Sequence, residues 1–192
     1  MKRNRYYGPS PSVNEPRRPL ILGVLSFVRA IRDCPGVLRV ALLGSLTTIK
    51  PIPKDADVLV TINGAVDLSR LARAGRGLQG FAQSMNLGAD IFLADDRGRY
   101  IGRICYYRKC FPRAACHAQN CGSREHLNDD LQVVTLTNEL IAAPPIILWP
   151  NIARHTTVPA DVEELLLTEL ERVGEMSRES QTAAIGSLSP TE

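Results

Sequence analysis

Apolar positions change their spacing several times along the first half of the chain. Leu20, Ile21, Val24, Leu25, Val28 and Ile31 recur three and four residues apart, with Arg29, Arg32 and Asp33 on the other side. That spacing predicts a helix over 20–33, ended by Pro35-Gly36. Residues 37–43, Val-Leu-Arg-Val-Ala-Leu-Leu, form a short apolar run of the kind a buried strand makes. A second apolar run over 56–62 predicts a strand covered on both faces near its end. Asn63-Gly64 is a turn, and Asp67 can cap a helix whose Leu68, Leu71, Gly75, Leu78, Ala82 and Met85 share one face. Gly75, Gly77 and Gly80 weaken that helix intrinsically, so packing must hold it.

Residues 89–93 predict a third strand, and Asp95-Asp96-Arg97-Gly98 a hairpin turn that returns 99–107 antiparallel. Further on, 130–136 is a candidate strand, and 142–150 is proline-bound apolar chain expected to pack on the surface of the core. Residues 158–176 predict an amphipathic helix with one strongly acidic face. The whole reads as an α+β fold, a short mixed sheet with helices packed against it and a Cys-rich extension. Residues 1–19, with four prolines and little apolar content, are expected to be a flexible basic arm, and 177–192 a disordered tail. One domain over 20–176 lies between them, with its core at 20–107.

The stretch from Gly44 to Leu59 carries the chemistry. A strand runs straight into Gly44-Ser45, whose turn lets backbone approach a phosphate. Nine residues separate Ser45 from Asp55, and Asp57 follows with one small residue between. Residues two apart on a strand share a face, so the two carboxylates stand side by side. Side by side they repel unless a cation lies between them, and Mg²⁺ prefers carboxylate oxygen together with substrate phosphate.

The order helix, strand, Gly-Ser, spacer, Asp-x-Asp strand, helix and strand with a central Asp resembles the DNA-polymerase-β-like nucleotidyltransferase superfamily, especially its small "minimal" members. The matching residues are Leu43-Gly44-Ser45, Asp55-Ala56-Asp57-Val58 and Asp90 in Ala89-Asp90-Ile91. The resemblance covers 20–93. It implies transfer of a nucleoside monophosphate from a nucleoside triphosphate with two Mg²⁺ ions. Gly44 and Ser45 would hold the β- and γ-phosphates, Asp55 and Asp57 would bind the metals, and Asp90 would supply a third carboxylate that helps activate the acceptor hydroxyl. Many small members carry Arg-Gly soon after Gly-Ser; here Leu46-Thr47-Thr48-Ile49 stands instead, leaving Lys50 or Lys54 as the basic help. Asp95 and Asp96 are further candidates for the third carboxylate, although a hairpin turn accounts for them more simply.

Cys105, Cys110, Cys116 and Cys121, with His117 among them and His126 beyond, bring soft ligands into 105–126. Four thiolates there would suit a structural Zn²⁺; buried or reduced thiols are the competing reading. Charge sharpens the picture. The net formal charge is only +3, but seven basic and no acidic side chains lie in 97–124, against eight acidic and two basic in 161–192. Arg99, Arg103, Arg108, Lys109, Arg113 and Arg124 alternate with Tyr100, Tyr106, Tyr107 and Phe111, a mixture that suits RNA or another polyanionic acceptor. Aromatic packing inside a strand accounts for the same rings.

No apolar run approaches a membrane span, and the basic start lacks the apolar core of a signal peptide, so a cytoplasmic location and no membrane partner are expected. Two other functions compete with the enzyme. One is a non-catalytic nucleotide-binding module or half of a toxin–antitoxin-type pair with a protein partner. The other is a zinc-stabilised nucleic-acid-binding protein.

Overall fold

Strands and helices alternate along the chain in a way that puts one sheet between two unequal layers. The computed structural model describes residues 16–107, 118 and 125–172. Helix α1 (Arg17–Ile31) buries Leu20, Ile21, Val24, Leu25, Phe27, Val28 and Ile31. It begins three residues ahead of the expected start at residue 20. Pro19 is tolerated there because N–H groups in a helix's first turn have no intrahelical partner. Strands β1 (Val37–Leu43) and β2 (Asp55–Ile62) follow, separated by a 3₁₀ turn at Gly44–Thr47. Helix α2 (Leu68–Gln83) starts where Asp67 accepts a hydrogen bond from the Arg70 N–H at 3.0 Å. At Gly75 a Cβ would lie 3.3 Å from the side chain of Ile104, so this glycine lets α2 sit close to the sheet.

Strands β3 (Gly88–Asp95), β4 (Tyr100–Ile104), β5 (Leu127–Asn128), β6 (Ile146–Trp149) and β7 (Ala153–Arg154) complete a seven-stranded sheet in the order β5-β4-β3-β2-β1-β6-β7. The β2–β3 pair is parallel, joined through α2; the other five pairs are antiparallel. The fold is therefore a mixed α+β arrangement. Period-two alternation sorts the strand residues onto two faces. Val40, Leu42, Val58, Val60, Ile91 and Leu93 face α1, α2 and the C-terminal helix in the larger core. Ala41, Leu43, Leu59, Phe92 and Ala94 form a smaller core with Ile141 of the short helix α3 (Asn138–Ala142).

Three sequence expectations are corrected. Residues 130–136 do not form a strand, because the Asp130 side chain is buried and its carbonyl accepts from the N–H groups of Val133 and Val134, closing a turn. Residues 142–150 are not packed on the outside of the core; Pro144-Pro145 end α3, and the proline-free Ile146–Trp149 joins the sheet beside β1. The return strand stops at Ile104 instead of continuing to Tyr107. The C-terminal helix begins with α4 (Ala160–Val162), widens into a π-helical turn at Glu163–Leu167 and remains helical to residue 172. None of the helices among the described residues is long and apolar enough to cross a membrane.

Candidate functional site

The end of β1 and the starts of β2 and β3 meet at one place on the smaller face of the sheet. Leu43 pairs with Asp57, and Asp57 pairs with Asp90 across the parallel β2–β3 ladder. Asp55 lies opposite Gly88 one step earlier. Sheet register thus brings the three aspartates expected to act together onto one face at one end of the fold.

Gly44 ends β1 with φ at +65°, a left-handed conformation that favours glycine. A Cβ there would overlap the Oδ2 atom of Asp57. The turn and the carboxylate therefore pack as a pair, each requiring the other's shape. Burial, with Asp55 and Asp90 close by, pushes the Asp57 carboxyl up to about 6. Ser45 Oγ, on the turn that follows Gly44, is buried and makes no hydrogen bond among the described residues. Lys54 is exposed, and its carbonyl accepts from the Gly88 N–H at 2.8 Å.

Asp90 is already engaged. Arg103 Nη1 donates to its Oδ1 at 3.0 Å, and Tyr106 Oη lies 3.1 Å from the same oxygen and 3.0 Å from the Ala89 carbonyl. Arg103 Nη2 donates to Asp130 at 2.6 Å, so one guanidinium bridges two carboxylates. Asp130 is 1% exposed, which makes this bridge part of the interior. Burial and the Asp90 carboxylate push the Tyr106 phenol up to about 12, so it keeps its proton and donates. The loop after the 3₁₀ turn is held from outside: Arg17 donates to the carbonyls of Leu46, Thr48 and Lys50 and pairs with Asp161 at 2.6 Å. The Arg17 hydrogen bonds hold the Asp161 carboxyl below its ordinary value.

Asp55 and Asp57, with phosphate oxygens from a substrate, match the donor set of one Mg²⁺, and the unpartnered Ser45 hydroxyl and the raised Asp57 carboxyl fit a cation at that point. A second ion does not fit as the side chains stand, because Arg103 occupies Asp90 with a positive charge of its own. Among the described residues, no three His, Cys, Asp or Glu side chains converge as a ready metal site. Cys110, Cys116 and Cys121 lie outside the described residues, and Cys105 is a free, half-buried thiol. Cys34 is buried, in keeping with a core thiol.

Arg108, Lys109, Phe111, Arg113, His117 and Arg124 lie outside the described residues; of the basic and aromatic side chains after β3 that are described, several are already engaged. Arg99 pairs with Asp95 at 2.7 Å, Arg103 is taken up by Asp90 and Asp130, and Tyr100 packs on Phe92 with ring centroids 6.3 Å apart. Asp95 also accepts from the Arg97 and Arg99 N–H groups, the role a hairpin turn gives it. Sequence reasoning missed Arg17, Arg103 as a site residue, Tyr106 as a partner of Asp90, and Asp130. The one available signal was Asp129-Asp130, a pair of acids left without a role.

No family model, curated protein or solved structure matches this chain.

Proposed function

We propose that this chain is a Mg²⁺-dependent nucleotidyltransferase, taking a nucleoside triphosphate at the Gly44-Ser45 turn and passing its nucleoside monophosphate to an acceptor hydroxyl, with the α–β phosphoanhydride bond broken and pyrophosphate released. The observation that carries the proposal is Asp57: a half-buried carboxyl, pushed up to about 6, lodged against a left-handed glycine and in register with Asp90. A carboxylate so placed costs stability in the free protein, and a bound cation relieves that cost. The cation supplies charge neutralisation for the phosphates during phosphoryl-type transfer. Asp55 and Asp57 hold it, Ser45 Oγ donates to a phosphate oxygen, and Lys54 lies close by at the start of β2. Asp90 accepts the acceptor's proton. Arg103 and Tyr106 fix Asp90 in place until then.

Incubation with a labelled triphosphate and Mg²⁺ tests this, with candidate acceptors of nucleic acid, protein and small-molecule type. Label transfer lost in the Asp55→Ala, Asp57→Ala double variant supports the proposal; undiminished transfer in that variant sinks it.

A second reading has its own observation. The Arg103–Asp90 ion pair occupies the third carboxylate with a protein cation, which favours a nucleotide-binding module without turnover. Triphosphate bound at the same aspartates, with no label transferred to any acceptor, would select this reading.

A further inference from the structure

A cavity of about 250 Å³ opens between the second half of α2 and the residues that follow β4. Arg76, Gln79, Gly80, Gln83, Tyr106 and Tyr107 line it. Gln79 is only 4% exposed, yet among the described residues neither its Nε2 nor its Oε1 has a hydrogen-bond partner. A buried primary amide with both ends unmatched is destabilising, and a group of that kind asks for a ligand that completes it. Such a ligand must offer an acceptor beside a donor. Tyr106 and Tyr107 are each about half exposed and bring two aromatic rings to the same cavity. One of them also belongs to the aspartate centre, since Tyr106 Oη lies 3.1 Å from Asp90 Oδ1. A single tyrosine side chain therefore separates the cavity from the carboxylates.

We infer that this cavity seats the base of the bound nucleotide, with the Gln79 amide pairing along the base edge and a tyrosine ring against its face. The inference rests on the nucleotidyl-transfer reading and names the part of the substrate that reading left open. Adenine is the base a glutamine amide pairs with most regularly: its N6 amino group lies beside the N7 acceptor, and the amide meets the two at once. Aromatic rings hold any base by its face, so the amide supplies the choice and the tyrosines the grip.

The test separates base from phosphate. Adenosine is titrated into the full chain in EDTA by calorimetry, beside guanosine, cytidine and uridine. Adenosine is expected to bind best, and Gln79→Leu to weaken it at least about tenfold while leaving the melting temperature unchanged or higher. Gly80→Leu is the second variant. A Cβ at Gly80 meets nothing within 4 Å, so a new side chain is accommodated at the cavity's wall. It too should weaken adenosine, and it decides the matter if Gln79→Leu does not fold. No adenosine binding, equal binding of all four nucleosides, or full binding in the folded variants overturns the inference. Inorganic tripolyphosphate with Mn²⁺ tests the aspartate site separately. If it fails to bind while adenosine binds through Gln79, the transfer reading falls and the base pocket stands.

Discussion

Asp57 occupies the space into which any side chain at residue 44 would project: a Cβ on Gly44 would overlap Oδ2 and lie 2.9 Å from Cγ. The glycine's φ of +65° adds a second objection to substitution. Gly44→Ala should therefore cost about 1–2 kcal/mol from the left-handed backbone alone, with more from displacing Asp57. Denaturant unfolding measures the loss. Mn²⁺–triphosphate affinity should fall with it, because the displaced carboxylate is the one the cation needs.

Asp57 also predicts a dependence on pH, and its sign is fixed by the direction of the shift. The folded carboxyl titrates at about 6, above its ordinary value of 3.8. The folded state thus holds the proton more tightly, and the stability this gives is complete below 3.8 and lost as pH rises through 6. Asp57→Asn should be close to neutral at pH 3.5. Above pH 7 it should stabilise the free protein by roughly 1–2 kcal/mol after allowance for solvent screening. Thermal melts of both proteins across pH 3.5–8 check the crossover. In the same melts, Mg²⁺–triphosphate should stabilise the wild type more at pH 7.5 than at pH 5.

Breaking the Arg103 bridge at its buried end should be costly. Asp130 is 1% exposed and Arg103 meets it at 2.6 Å, so Asp130→Asn removes the charge that the guanidinium was buried against. A loss of about 1.5–3 kcal/mol is expected, because Asp90 still pairs with the guanidinium. The replacement of both, Arg103→Met with Asp130→Leu, should recover much of it, and a double-mutant cycle measures the coupling.

Arg17 is expected to act on the loop it grips. Arg17→Met removes a charge-assisted pair with Asp161 and three bonds to carbonyls of residues 46–50, at about 1.5–3 kcal/mol for the hydrogen bonds to charge. Asp161 is held below its ordinary value, so its share of that stability is present above the ordinary carboxylate range and lost as pH falls through the lowered value. Faster hydrogen exchange at 46–50 in the variant, with the β2 amides unchanged, is the specific signature.

Much of the frame was legible because the signals were local. β1 begins and ends where its apolar run does, β2 begins one residue earlier than expected, and Asp67 caps α2 as its position implied. The grouping of Asp55, Asp57 and Asp90 follows from period-two alternation once β2 and β3 pair in register. What escaped was non-local. Arg103 looked like one of several basic residues on a basic stretch, and only the approach of residue 130 across β4 and β5 makes it a bridge. Arg17 lay in a proline-rich stretch read as an arm, and its role depends on Asp161, 144 residues away. Residues 146–149 were too short and too hemmed by proline to announce a strand, yet β1 had an unpaired edge that this segment fills.

That last pairing bears on how the protein is made. β1 supplies Gly44 to the candidate site, but its outer edge is closed only when Ile146–Trp149 pairs with it. A ribosome adding about 5–20 residues per second needs roughly 5–20 s to travel from one to the other. For that interval a strand of seven residues, buried in the finished fold, shows a row of free N–H and C=O groups to the cell. The nascent chain therefore passes through a window in which a largely apolar strand is sticky, and the last quarter of the molecule is what closes that window.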